Sequence, residues 1–210
     1  MQPKSAENWL SLSGIIAGLF YFLHIIIGTR QYPGYDRMSQ AVSDLTATDA
    51  PSFLVASRLS TIYGALACLC CTVIFLQLRS EHPLFRRGML FFMLMHWISF
   101  IGYTLFPLSG QGFQGTVQDI FHFYIVTISV VLLSIISLTM LYVGSRKGTE
   151  HRWLGKAAII ALVIMFVGSI GTGIVPAAYF GLMERLSTFS VVVFTGIVGY
   201  FGFNYQTNTT

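Results

Sequence analysis

Charge is what this chain has least of. Asp, Glu, Lys and Arg make up 10% of its 210 residues, against roughly a quarter in a soluble domain. So few charged side chains cannot cover a water-facing surface, and no stretch remains from which to build a separate soluble catalytic domain. The basic residues number only twelve and are dispersed, for a net charge of +4. No Lys/Arg-rich tract exists to follow a phosphate backbone, which excludes a nucleic-acid partner. Cysteine is equally scarce. Cys68, Cys70 and Cys71 sit too close together to bridge separate elements, and there is no paired CxxC spacing for structural zinc. In an apolar helix such small thiols pack. The glycines carry neither a P-loop nor a dinucleotide fingerprint.

What fills the chain instead is apolar: 54% of residues are hydrophobic, 15% are aromatic, and the mean hydropathy is +0.70. A helix that crosses a bilayer needs about 20 mostly apolar residues. Six stretches qualify, at about 9–29, 53–78, 88–106, 120–143, 153–175 and 177–203. The fold class is therefore all-α: a polytopic integral membrane protein with six transmembrane helices in one bundle, a single domain over residues 1–210. The first stretch is longer than a signal-peptide core and no small-residue cleavage site follows it, so it reads as a span. Pro176 alone separates the last two, which makes them an antiparallel pair. Gly14 and Gly18 stand four apart on the first span, a spacing that suits close helix packing. Gly168, Gly171 and Gly173 on the fifth suit either tight packing or a break of the transporter kind.

Lys4, Arg79, Arg86, Arg87, Arg146, Lys147, Arg152 and Lys156 all fall on one side of this arrangement, with Arg30 and Arg37 on the other. The positive-inside rule then places both termini in the cytoplasm, with the chain in the plasma (inner) membrane. The tail Asn208-Thr209-Thr210 matches a glycosylation acceptor, but a cytoplasmic tail never meets the transferase.

The informative residues are those that are costly inside a membrane. By helical rise, His24, Arg58 and His122 lie roughly 5–8 Å below the outer surface, and Glu184 and Arg185 roughly 10–12 Å. Asp119 precedes His122 by three residues and shares its face. Intramembrane ionisable groups normally face the bundle interior and find partners. Glu184 and Arg185 project about 100° apart on one helix and cannot satisfy each other. Each is therefore expected to reach for another helix, with Arg58, Asp119 and Asp44 as available partners. These contacts would serve either as ion pairs that lock the bundle or as the wall of an outward-facing polar cavity. His96 sits deeper, near mid-membrane, and reads as a hydrogen-bonded packing residue.

The first outer loop is the most distinctive segment: Tyr32-Pro33-Gly34-Tyr35-Asp36-Arg37-Met38-Ser39-Gln40-Ala41-Val42-Ser43-Asp44-Leu45. Pro-Gly marks a turn, and Asp36 is a candidate N-cap. Met38, Ala41, Val42 and Leu45 follow the i, i+3, i+4, i+7 template, which predicts a short helix lying at the outer interface. The second outer loop, Pro107 to Gln118, contains Gly110, Gly112 and Gly115, and reads as a flexible lid or an ordinary connector.

At the Tyr-Pro-Gly-Tyr-Asp-x-Met-Ser-Gln-Ala-Val-Ser-Asp-Leu motif the chain resembles the bacterial and archaeal membrane proteins called domain of unknown function 998. The resemblance extends to Phe106-Pro107, to Asp119-Ile120-Phe121-His122 and to Gly181-Leu182-Met183-Glu184-Arg185. It implies a compact multi-helix membrane protein of prokaryotic type and brings no activity, substrate or cofactor with it.

Three functional readings stand open. In the first, an outward cavity formed by His24, Ser43, Asp44, Arg58, Asp119, His122, Glu184 and Arg185 binds a membrane lipid headgroup or another small amphiphile. The two arginines would grip an anionic group there. In the second, the protein is an intramembrane metal-dependent lipid hydrolase. His24, His122 and Asp119 or Asp44 are zinc-type ligands, and Ser43 beside Asp44 invites comparison with membrane hydrolases that use Ser, Asp and three His. In the third, the chain is a structural or regulatory subunit that pairs with another membrane protein or with itself through faces such as Gly14/Gly18.

Overall fold

The computed structural model describes residues 4–147 and 150–206, and the Asn208-Thr209-Thr210 acceptor lies outside them. The described chain is helical, with no strand among the described residues. In order come α1 (Ala6–Ser11), α2 (Ser13–Gln31), α3 (Phe53–Gln77), α4 (Pro83–Leu105), α5 (Val117–Ile120), α6 (Ile128–Gly144), α7 (Arg152–Ile174) and α8 (Phe180–Asn204). These make six stretches long and apolar enough to cross a membrane: Ala6–Gln31, Phe53–Ser80, Pro83–Leu105, Val117–Gly144, Arg152–Ile174 and Ala177–Asn204. All six expected spans are present. The third begins ahead of the expected residue 88 because Pro83 sits at the first helical turn and His82 Nδ1 accepts from Leu84 N at 3.2 Å. Two arginines are tolerated in that turn because long side chains lie along apolar surface. The Arg86 guanidinium rests 5.0 Å from the Phe75 ring centre.

The closest helix pairs are α4 with α6, α7 with α8, and α2 with α3. Phe85, Met89, Phe92, Leu138, Leu141, Phe194 and Val198 fill the core between them, and all are fully buried. The α4–α6 crossing is tight: a methyl group on Gly88 would lie 2.8 Å from the Leu141 nitrogen. The three cysteines are buried and free, and Cys70 Sγ donates to the Ser11 carbonyl at 3.3 Å. His96 is buried and pairs its Nε2 with Thr195 Oγ1 at 3.0 Å, the packing role its depth foretold. Helix α7 runs unbroken through Gly168, Gly171 and Gly173. The first two pack on Met183 and Ser187 of α8, so the glycines there serve close approach and make no break.

Alternation of the spans puts both long loops, 32–52 and 106–116, at one end of the bundle, and the eight sorted basic residues at the other. At that basic end Glu81 Oε1 accepts from His151 Nε2 at 2.9 Å and from Tyr205 OH at 3.0 Å. Burial of the Tyr205 phenol and the neighbouring Glu81 charge both push its pKa up. The His151–Glu81 contact is the one ion pair among the described residues.

The first long loop departs from its expected form. Instead of an α-helix over 38–45 it folds as a turn at 37–39 followed by a single 3₁₀ turn, Ser43–Thr46. The reason is competition for the main chain. Ala41 N donates to Asp44 Oδ2 at 3.0 Å and Val42 N to Glu184 Oε2 at 3.0 Å, while the carbonyls of Arg37 and Gln40 bind Arg185. The groups an α-helix would pair with each other are thus taken by charged side chains. Three of the four apolar positions, Ala41, Val42 and Leu45, are nonetheless buried against the bundle, and Met38 is exposed.

Candidate functional site

The long-loop end is assembled by four buried or half-buried ionisable residues, each of which grips loop backbone. Arg185, from α8, is 8% exposed. Its Nη1 donates to the carbonyls of Arg37 (2.7 Å), Gln40 (2.8 Å) and Gly181 (2.8 Å), and its Nη2 to Tyr35 OH at 2.5 Å. Tyr35 OH in turn donates to the Ala41 carbonyl at 2.5 Å. Burial drives the Tyr35 pKa upward, with the Arg185 charge pulling against it. Glu184, one residue earlier, turns to a different face and holds Val42 N. It lies within electrostatic reach of Tyr21 and Tyr103. The expectation that this pair would find carboxylate or arginine partners is corrected: both bind the main chain of the first loop. A loop full of unpaired carbonyls and amides near a membrane is a natural counter-partner for a fork and a carboxylate.

Asp44 and Asp119 do the same for the second loop. Asp44 is 3% exposed; its Oδ1 accepts from Gly112 N at 2.9 Å and its Oδ2 from Ala41 N, so one carboxylate joins the two loops. Burial raises the Asp44 pKa, opposed by those two amide hydrogen bonds and by the Arg185 charge. Gly112 presents its amide from φ +66, a left-handed conformation that glycine adopts freely. Asp119 is fully buried and accepts from Ser109 N (2.9 Å), Ser109 Oγ (2.8 Å), Gln114 N (3.0 Å) and Thr116 N (3.2 Å), while Thr116 Oγ1 accepts from Asp119 N. This capping box orders the second loop and starts the fourth span. Thr48 N to the Leu108 carbonyl, at 2.8 Å, adds a main-chain link between the loops. Asp36 caps the 37–39 turn, accepting from Ser39 Oγ at 2.7 Å and Met38 N at 2.9 Å, and both bonds hold its pKa down.

The remaining expected site residues divide. His122 is buried, bonds the Phe106 carbonyl through Nδ1 at 2.7 Å and sits 4.7 Å from the Tyr103 ring. His24 is buried, with Nδ1 on the Tyr21 carbonyl at 3.0 Å. Ser43 begins the 3₁₀ turn and offers its carbonyl to Thr46 Oγ1 at 3.0 Å. Arg58 is the correction that matters most: it is exposed on α3 and makes no hydrogen bond or ion pair with any described residue, so it does not join the cluster. Helix periodicity explains this, since Ala56, two residues earlier, takes the buried face against Gly28. Among the described residues no three His, Cys, Asp or Glu side chains converge as a metal-holding group. His24, His122 and Asp119 each serve a separate stretch of backbone, so the zinc expectation finds no common centre.

Between the two loops opens a cleft of about 530 Å³. Ser39, Asp44, Gln111 and Gln114 give its polar wall and Phe113, Phe123 and Phe180 its apolar one, with Ala41 and Gly112 between. Phe113 and Phe123 meet edge to face with ring centres 5.8 Å apart. Phe123 reaches the cleft from a π-helix, Phe121–Thr127, which interrupts the fourth span. Thr127 Oγ1 donates to the His122 carbonyl at 2.9 Å and pairs with Tyr103 OH at 3.0 Å, holding the widened turn open. Such π segments are rare and concentrate at functional sites. Sequence reading missed this part of the site. The phenylalanines look like ordinary membrane residues, and the only trace of the π turn is the spacing of His122 and Thr127.

No curated protein and no solved structure matches this chain. A family model described as "Protein of unknown function (DUF998)" matches residues 15–200. That stretch holds the grip of Glu184 and Arg185 on the first loop, the Asp119 cap and the whole cleft, and the chain belongs to the DUF998 family.

Proposed function

We propose that this protein binds the polar head of a membrane lipid or small amphiphile in the cleft between its two long loops, with that end of the bundle facing outward from the cytoplasm. One observation carries the reading: a cleft of about 530 Å³ whose wall combines three phenylalanines with four polar side chains. Ligand sites generally fall at roughly 300–1,000 Å³ and combine an apolar lining with a few convergent polar groups. A molecule with a polar head and an acyl chain fits such a wall where the bundle meets the membrane surface. The tethers support the reading in a second way. Asp44, Asp119, Glu184 and Arg185 fix the loop backbones, so the cleft is preorganised. The outward orientation rests on the eight basic residues at the opposite end.

The test is photocrosslinking in native membranes with an alkyl diazirine amphiphile, mapped by peptide mass spectrometry. Label is expected on the segments carrying Phe113, Phe123 and Phe180. It should fall by at least half in Gln111→Trp, which sets an indole into the cleft from an exposed position on its lining. Uniform labelling of lipid-facing residues, unchanged by that substitution, contradicts the proposal.

A further inference from the structure

We infer that the head this cleft selects is a cation of the ammonium type; the inference rests on the amphiphile-binding reading and narrows it. The chemistry of the wall decides the sign. Asp44 is the one ionisable side chain lining the cleft. An anionic head is best gripped by arginine forks, and among the described residues no arginine lines the cleft. The Arg185 guanidinium is engaged by three carbonyls and a phenol, and Arg58 stands exposed outside the cluster. Three backbone amides of the wall are taken as well. Ala41 N and Gly112 N donate to Asp44, and Gln114 N donates to Asp119. The protein's own carboxylates thus hold three of the wall's amide donors, and the second lone pairs of Asp44 remain as acceptors.

The apolar wall points the same way. Phe113, Phe123 and Phe180 line the same cleft as a carboxylate, and aromatic rings are the recurrent recognition set for quaternary ammonium groups. The field of the whole end agrees. Asp36, Asp44, Asp49, Asp119 and Glu184, five of the eight acidic residues, gather at the long-loop end. Only Arg30, Arg37, Arg58 and Arg185 of the twelve basic ones accompany them, which leaves this end about one negative charge in excess while the opposite end is positive. Asp49 lies within electrostatic reach of Asp44 and adds to the negative potential at the mouth.

The experiment is isothermal titration of the purified full-length chain in a neutral maltoside detergent. The probes are decyltrimethylammonium, its uncharged carbon isostere, decyl phosphate and chain-free tetramethylammonium. Decyltrimethylammonium is expected to bind about tenfold tighter than the isostere, with decyl phosphate weakest. Partitioning into the micelle cancels when wild type is compared with variants. Asp44→Asn should reduce the preference for ammonium over isostere to within about twofold. Because Asp44 also joins the loops, Phe113→Leu is the companion variant. Phe113 is half exposed, so the fold tolerates the change, and the preference for ammonium over isostere should fall about threefold while the thermal midpoint holds. Equal binding of ammonium and isostere by the wild type, tighter binding of phosphate, or a preference that survives in both variants overturns the inference and leaves the amphiphile reading standing. Saturable binding of tetramethylammonium as tight as that of the decyl compound supports the cation but overturns the amphiphile. No saturable binding of any probe overturns both.

Discussion

Replacing Arg185 with leucine tests the claim that one buried guanidinium holds the first loop to the bundle. The side chain donates four hydrogen bonds. The Gly181 carbonyl keeps its helical partner after the substitution, and the Gln40 carbonyl keeps only a share of the Tyr35 proton, 3.3 Å from the oxygen that donates to Ala41 at 2.5 Å. The Arg37 carbonyl and the Arg185 side of Tyr35 are left without replacement. Hydrogen bonds to a charged group contribute about 1.5–3 kcal/mol each, and an orphaned buried acceptor costs about 1–3 kcal/mol, so the expected loss is about 3–5 kcal/mol. Part of that loss is local. At 1.4 kcal/mol per tenfold, the open-loop population should rise at least about a hundredfold. Arg37 is exposed and sits on the released segment, so limited trypsin digestion in detergent reads the opening directly. Its cleavage rate tracks the open population when reclosing is fast. Arg146, exposed at the opposite end, supplies an internal control whose rate should not change. Arg185→Lys keeps the charge but lacks the flat fork, and should lose about 1–2 kcal/mol. Arg37 cleavage in Arg185→Leu at the wild-type rate, with an unchanged thermal midpoint, would refute the tether.

Gly14→Ala and Gly18→Ala should behave oppositely. A methyl group at Gly14 would lie 2.6 Å from Cys70 Sγ and 2.7 Å from the Thr195 carbonyl, and is expected to cost about 1–3 kcal/mol by thermal unfolding. At Gly18 the nearest atom is Val192 Cγ1 at 3.9 Å, so alanine should be neutral or stabilise by up to about 1 kcal/mol. Asp119→Asn turns an amide NH₂ toward backbone donors and should cost about 1–3 kcal/mol, visible as faster hydrogen exchange at Ser109, Gln114 and Thr116. Ammonium binding should depend on pH through Asp44. Burial raises its pKa above the ordinary 3.8, so the carboxylate that receives the cation is lost as pH falls through that raised value. Affinity measured by titration should be flat at high pH and drop on acidification, with Asp49, Glu184, Arg185 and Tyr32 as the neighbouring charged or titratable groups. Asp44→Asn should abolish the dependence.

The architecture was legible because membrane insertion imposes a simple rule. Six apolar stretches and a one-sided distribution of Lys and Arg fixed the spans and their alternation. The gathering of Asp44, Asp119, Glu184 and Arg185 at one end was legible too, because helical rise gives depth directly. What depth does not give is azimuth. Arg58 has the right depth but points away from the bundle, and nothing in a span apolar on all sides reveals which way it faces. Partner choice was the second blind spot. Ionisable residues inside a membrane invite a search for opposite charges, yet here they bind loop carbonyls and amides. The same competition broke the expected helix over 38–45 into a 3₁₀ turn, although its apolar spacing was correct. Gly14 and Gly18 show the limit of spacing alone: Gly14 packs against α8 within the chain, and Gly18 makes no close contact.

The central claim is that the cleft between the two long loops holds a ligand. Native mass spectrometry of the protein released from its own membranes in mild detergent tests it most directly, with wild type and Gln111→Trp measured side by side. Gln111 lines the cleft from an exposed position, so the tryptophan can obstruct it while Asp44 and Asp119 keep their partners. The wild type should carry a discrete small-molecule adduct that is lost from the variant, with equal thermal midpoints for the two proteins. An adduct that persists on Gln111→Trp, or a wild type that carries none, would contradict the claim.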